Sequence, residues 1–196
     1  MSITKESSSP SSTISSNYQS PVATHSTKNK VNYAKMNPHL TFAKILLHIL
    51  SENKKSKDYY YKKINSNQDG HFTFKMKPGI SLLDYLNRIL KYLKMEYSTL
   101  IIAMIYIDRI CKEKVFLNEF NIHRVMLISI YMAYTYNEDC IYDNKYLALV
   151  SGLSKSEMLL LEEDFLDLID FRLFVSEEIF EQYKKYFFRD ILDNNN

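Results

Sequence analysis

Asn121-Ile-His-Arg-Val-Met-Leu-Ile-Ser-Ile-Tyr-Met-Ala-Tyr-Thr-Tyr136 decides the fold class. The stretch has no glycine or proline, and apolar side chains occupy nearly every side of the helix it would form. A surface helix buries one stripe, whereas a helix apolar all round must be enclosed. No apolar run in the chain approaches the roughly 20 residues of a membrane span, so other helices must do the enclosing. The expected architecture is all-α, with this segment at the centre of a bundle.

Signals on both sides supply the neighbours. After Gly79 there is no proline and a single glycine, Gly152. Such a stretch favours helix throughout, broken only by caps. Ser81, with Asp84 three residues on, opens a first helix through about Met95. Ser98 opens a second, through about Lys112, rich in Leu100, Ile101, Ile102, Met104, Ile105 and Ile107. Asn121 opens the third. Asn144 opens a short fourth that stops at Gly152, a natural left-handed terminator. Ser154-Lys-Ser-Glu157 reads as a capping box and opens a fifth, through about Ile169. Short connections make neighbours pack side by side, often antiparallel. The pattern predicts a five-helix bundle around a buried central third helix, with one extra helix at each end. The N-terminal extra helix follows Pro38, where Leu40, Phe42, Ala43, Ile45, Leu46, Ile49 and Leu50 recur at helical spacing. The C-terminal one runs from Ser176 to about Phe188.

Outside this frame the composition changes. Residues 1–37 are Ser/Thr/Asn-rich and too poor in aliphatic residues to offset their ordering entropy, so a disordered tail is expected. It holds Ser9-Pro10 and Ser20-Pro21, minimal sites for proline-directed kinases. Residues 52–79 carry a Lys/Tyr-rich run, Asn65-Ser-Asn-Gln-Asp-Gly70 and Lys77-Pro-Gly79, and read as a long solvated loop inserted in a domain of residues 38–190. A short tail, 191–196, follows.

Charge and cysteine content narrow the function classes. The net charge of the 196 residues is +2, without the basic stripe of a nucleic-acid-binding protein. Two cysteines, Cys111 and Cys140, with no CxxC and no histidines clustered near them, make neither a disulfide scaffold nor a metal site. The first residues lack the apolar core of a signal peptide. The expectation is a soluble intracellular protein, with no membrane partner. A glycine-rich phosphate loop, zinc-ligand spacing and GxSxG are all missing, so no catalytic residue, cofactor or metal is assigned.

Six segments together resemble the cyclin box, in particular the single-box P-type cyclins. They are Pro78-Gly-Ile-Ser-Leu-Leu-Asp-Tyr-Leu-Asn-Arg-Ile-Leu-Lys-Tyr92, Tyr106-Ile-Asp-Arg109 and Asn121-Ile-His-Arg124. The others are Val150-Ser-Gly-Leu153, Leu161-Glu-Glu-Asp-Phe-Leu166 and Asp170-Phe-Arg-Leu173. No one of them is specific, but their order and spacing match the family over roughly Pro38 to Tyr186. The resemblance implies a regulatory subunit, with no active site of its own. It would bind a cyclin-dependent protein kinase through its third and fifth helices and drive the kinase αC helix inward. Kinase substrates or inhibitors are further partners the family implies, and the nucleus or cytoplasm its compartments. A cyclin-fold adaptor that binds proteins without activating a kinase is the alternative.

The resemblance also assigns residues. Arg88 and Asp108 match a charged pair held inside the box. On largely apolar helix faces each would need the other, because a lone buried charge is costly and removing one partner of such a pair costs about 3–5 kcal/mol. Glu162 matches an acidic residue that contacts the kinase, although its run with Glu163, Asp164 and Asp167 also suits a solvated face. Met132, Tyr136, Leu166 and Leu173 fall where cyclins present apolar contacts, and by residue type they are equally core residues. His123 and Arg124 match a His-Arg pair, read as packing. Thr135 departs from the pattern: cyclins usually carry a lysine there, and a threonine has one donor, no charge and a shorter reach.

Overall fold

The computed structural model describes residues 37–65, 70–113, 115–139 and 142–188. Among them are eight α-helices and no strand: α1 (Pro38–Lys55), α2 (Tyr59–Asn65), α3 (Leu82–Tyr92), α4 (Tyr97–Glu113), α5 (Ile122–Asn137), α6 (Asn144–Ser151), α7 (Lys155–Ile169) and α8 (Glu177–Phe187). A 3-10 turn, Gly70–Phe72, lies between α2 and α3. The expected box is α3 to α7, with α5 as its third helix. Residues 1–36 and 189–196, including both expected tails and the two Ser-Pro sites, lie outside the described residues, as does Cys140.

α5 is enclosed as its composition demands. From Ile122 to Tyr134 every residue except Arg124 is buried. Its largest contact is with α4, whose residues from Thr99 to Ile107 are also buried, and α3 and α7 close the other sides. α4 and α5 run antiparallel, because Glu138 at the end of α5 reaches the start of α4. Its carboxylate accepts from the Glu96 amide at 3.2 Å and from the Thr99 hydroxyl.

Most helix starts lie where capping chemistry places them. Pro38 is the first residue of α1, behind an Asn37 side chain that accepts from the Leu40 amide at 3.0 Å. Ser81 accepts from the Asp84 amide at 3.1 Å. Ser154 and Glu157 complete a reciprocal capping box, and Gly152 ends α6 with φ +76°. Two expectations need correction. Asn121 precedes α5 without capping it; its side chain accepts from the Asn118 amide at 2.8 Å and donates to the Phe116 carbonyl at 3.0 Å. Asp143 caps α6 in place of Asn144, accepting from the Tyr146 amide at 2.7 Å.

The expected loop over 52–79 is the larger correction. α1 continues to Lys55, and α2 follows. Tyr59 is buried, donates to Glu119 and meets the Phe116 ring edge-on at 6.0 Å. Asn53 Nδ2 donates to the Leu117 carbonyl at 2.9 Å. Phe72 is fully buried, and Phe74 N donates to the Phe120 carbonyl at 2.9 Å. Two aromatic side chains hidden among lysines thus turn a polar stretch into a strap across the bundle. Gly70 makes the strap possible: its φ is +58°, and a Cβ there would lie 2.4 Å from Asp164 Oδ2. That carboxylate accepts from the His71 amide at 2.7 Å and sits 2.8 Å from its ring Nδ1.

The His-Arg pair anchors the same region. Arg124 donates to the His71 carbonyl, pairs with Glu157 at 3.0 Å and lies 4.2 Å above the Phe74 ring. His123 Nε2 donates to the Ile80 carbonyl at 3.0 Å, and burial holds this imidazole below its usual range, favouring the neutral form.

Two outcomes follow for stability. Ser154→Ala removes the side-chain half of the capping box and should cost about 1 kcal/mol in urea denaturation. For His123 the unfolded chain takes up the proton first, so stability is full above the ordinary histidine value of about 6.5 and falls as pH drops through it. Unfolding midpoints at about pH 7.5 and about pH 5.5 should therefore converge in His123→Gln relative to the parent chain.

Candidate functional site

The site is built outward from Tyr106-Ile-Asp-Arg109 on α4. Tyr106 is fully buried, its ring 6.0 Å from that of Phe165 on α7, and its hydroxyl donates to the Leu173 carbonyl at 2.7 Å. Burial pushes the phenol up to about 12, so it remains a donor. Arg109 Nη1 donates to the Arg172 carbonyl at 2.6 Å and Nη2 to the Phe174 carbonyl at 3.1 Å. Asp108 turns the other way, accepting from Tyr183 on α8 and pairing with Lys112 at 2.7 Å. The motif is therefore a clamp on the chain that follows α7.

That chain needs a clamp. Asp170 and Phe171 both lie in the left-handed region, with φ +55° and +53°. Non-glycine residues enter that region at a cost and stay only when neighbouring contacts hold them. Phe171 N donates to the Leu166 carbonyl at 3.0 Å, closing the turn. The result is unusual exposure: Phe171 is 67% and Phe174 73% accessible. Tyr136, at the end of α5, is 52% accessible. The adjacent Asn137 side chain faces the Tyr106 hydroxyl, which places the end of α5 beside the clamped segment. Large side chains left in water make this part of the chain the candidate for an interaction surface.

Glu162 stands on α7. It is half-buried and accepts from the Tyr131 hydroxyl at 3.3 Å. Burial first, and Glu162 second, push that phenol up to about 12. Thr135 lies one turn beyond Tyr131, its hydroxyl donating back to the Tyr131 carbonyl at 3.0 Å. Leu166 and Leu173 are half-buried against the core. Glu162 and Thr135 are thus linked through Tyr131, Leu166 holds the Phe171 amide, and Tyr136 stands exposed at the end of α5. Met132, at 4% accessibility, belongs to the core.

Arg88 and Asp108 are not brought together. Arg88 is exposed on α3, with its guanidinium against Gly152, where an added Cβ would lie 3.5 Å from it. Asp108 is partly exposed and satisfied by Tyr183 and Lys112. The expected pair assumed two buried charges, and with neither buried, neither requires the other. Phe171, Phe174 and the carbonyl-holding role of Arg109 were not expected from the sequence. The signal for them was faint: Phe171-Arg-Leu-Phe174 is an aromatic-rich run after the fifth helix, too short to make a helix of its own.

The family model described as cyclin matches residues 2–173. The chain belongs to the cyclin family. Cyclin-U4-3 of Arabidopsis thaliana is 43% identical over 114 residues, 57% of this chain and 52% of that protein. Cyclin-P4-1 of Oryza sativa subsp. japonica is 38% identical over 109 residues, 55% of this chain and 51% of that protein. Cyclin-P3-1 of the same species is 35% identical over 107 residues, 54% of this chain and 45% of that protein. P-type and U-type cyclins are thus both among the relatives, and the matched region spans about half the length of each.

In this cyclin the clamp is testable without any partner. Tyr106→Phe leaves the Leu173 carbonyl without its donor and should cost about 1 kcal/mol. Arg109→Ala frees two carbonyls, and limited trypsin digestion followed by mass spectrometry should show several-fold faster cleavage after Arg172.

Proposed function

We propose that this cyclin is the regulatory subunit of a cyclin-dependent protein kinase, binding and activating it through the face formed by the end of α5, α7 and the clamped segment 171–174. The observation that supports the reading is the exposure of Tyr136 at the end of α5 and of Phe171 and Phe174 on the clamped segment, with Glu162 half-buried on α7. Exposed aromatic anchors on a pre-formed backbone are the usual energetic centre of a protein interface. Family membership supports a kinase as the class of partner.

The mechanism is a shift of population. A kinase αC helix moves between an inward position, where its glutamate pairs with the ATP-binding lysine, and an outward one. A face that binds the inward arrangement more tightly favours it by that difference in affinity. The chemistry then belongs entirely to the kinase. One observation favours a second reading, an adaptor that binds without activating. Thr135 spends its hydroxyl on its own helix, leaving this position with little to offer a partner.

The two readings separate in a panel of purified cyclin-dependent kinases, assayed for binding and for phosphate transfer to a protein substrate. The activating reading expects one kinase to bind and to gain at least tenfold in rate. Glu162→Arg and Phe174→Asp should each abolish both effects, with unchanged circular dichroism. Binding without stimulation would mean that docking occurs without αC being driven inward, and no binding across the panel would overturn the kinase reading in favour of the adaptor.

A further inference from the structure

α1 and α8 both pack on α4 and meet each other where the rings of Phe42 and Phe187 lie 6.5 Å apart. Beside that contact the three helices border a groove of about 1060 Å³. Its long bank is α1, where Asn37, Leu40, Thr41, Lys44, His48 and Ile49 line it at the spacing of one helix face. That bank is about 18 Å long at 1.5 Å per residue. Met104 and Ile107 on α4 and Phe187 on α8 give the groove a buried apolar base. Tyr186, 63% accessible, stands on the α8 bank.

This lining selects the conformation of an occupant. Among the described residues there is no strand edge with which an extended peptide could pair, and the base offers only apolar side chains. A segment seated there must satisfy its own backbone polar groups, as a helix does. A helix of about three turns, at 5.4 Å per turn, matches the length of the α1 bank. Apolar residues at i, i+3, i+4 and i+7 would place one continuous stripe on the base.

Charge sets the polar flank. Lys44 and His48 are exposed on the α1 bank, and Lys44 has no ion pair among the described residues. Asp108, the carboxylate in the lining, already pairs with Lys112 at 2.7 Å and accepts from Tyr183. Gln182, Tyr183 and Tyr186 bring no charge from α8. Beyond the lining, Glu52 is held by Lys55 at 2.7 Å, and Glu178 and Lys185 on α8 are exposed and opposite in sign. The uncompensated charge beside the apolar base is therefore the Lys44 ammonium.

We propose that this groove docks an acidic amphipathic helix of a partner protein, its apolar stripe on Met104, Ile107 and Phe187 and a glutamate or aspartate against Lys44. The groove is built by α1, α4 and α8, whereas the proposed kinase face uses the end of α5, α7 and segment 171–174, so either can exist without the other.

The probe is a displayed library of helical peptides about four turns long, with leucine fixed along one stripe and the flanks free among glutamate, glutamine and lysine. Selection on the full chain should enrich acidic flanks, and the best peptide, made synthetically, should gain helical circular dichroism on binding. Lys44→Glu should weaken that peptide by about threefold to tenfold, and a lysine-flanked version should recover affinity on this variant. Tyr186→Asp should weaken it at least about tenfold. Should Tyr186→Asp fail to fold, Lys44→Glu and the charge-swapped peptide decide alone. No enriched peptide, enrichment of basic flanks, or affinity untouched by both variants would overturn the proposal. Self-association of the parent chain in sedimentation, lost in Lys44→Glu, would assign the groove to a second copy and overturn it too. Binding to the kinase panel should be unchanged in both variants, and its loss would make the groove part of the kinase interface and overturn a separate partner. A parent chain that binds no kinase removes the kinase reading alone, and the peptide measurements still decide the groove.

Discussion

Enclosure of α5 is the constraint from which the rest of the structure follows. A helix that is apolar on every side has no surface to give to solvent, so each neighbour must cover a different sector of it. α4 takes the largest share, α3 and α7 take two others, and the strap through Phe72 and Phe74 covers its N-terminal end. Large-to-small changes in such a core cost about 2–5 kcal/mol, a sizeable part of the roughly 5–15 kcal/mol typical of a whole domain. Apart from Arg124, α5 emerges from cover at its C-terminal end, from Thr135 onward, where Tyr136 stands exposed.

Two devices convert that buried frame into a shaped surface. At one end Arg124, Gly70 and Asp164 hold the strap against α5 and α7. Towards the other, Tyr106 and Arg109 hold the segment after α7. Asp164 and Glu162, two residues apart on α7, consequently have different tasks. One is an internal acceptor for the strap, and the other accepts from Tyr131 on α5. A run of acidic residues that looks uniform in sequence is thus divided by helical geometry.

Periodicity and capping made the bundle legible in the sequence. The all-round apolar character of α5, the Ser154-Glu157 box and Gly152 each have a local physical cause that can be read from a few residues. The strap was not legible for the opposite reason. Its order depends on Tyr59, Phe72 and Gly70 meeting Phe116, the core and Asp164, which are remote in the chain. The Arg88–Asp108 expectation failed because an apolar helix face does not by itself say how deep a charged residue sits. Glu162, Tyr136, Leu166 and Leu173 were named through family resemblance alone, since no local pattern separates them from core or solvated residues. Phe171 and Phe174 were missed, because their exposure is created by two consecutive left-handed residues that no helical pattern announces.

The clamp of Tyr106 and Arg109 grips carbonyl oxygens and ignores side chains. Every residue type carries that carbonyl, so the grip does not depend on the exposed side chains of Arg172 and Phe174. Substitutions at these two positions can therefore alter the surface while the backbone beneath it stays held. The recognition surface is in this sense interchangeable, mounted on a bracket that does not read its cargo.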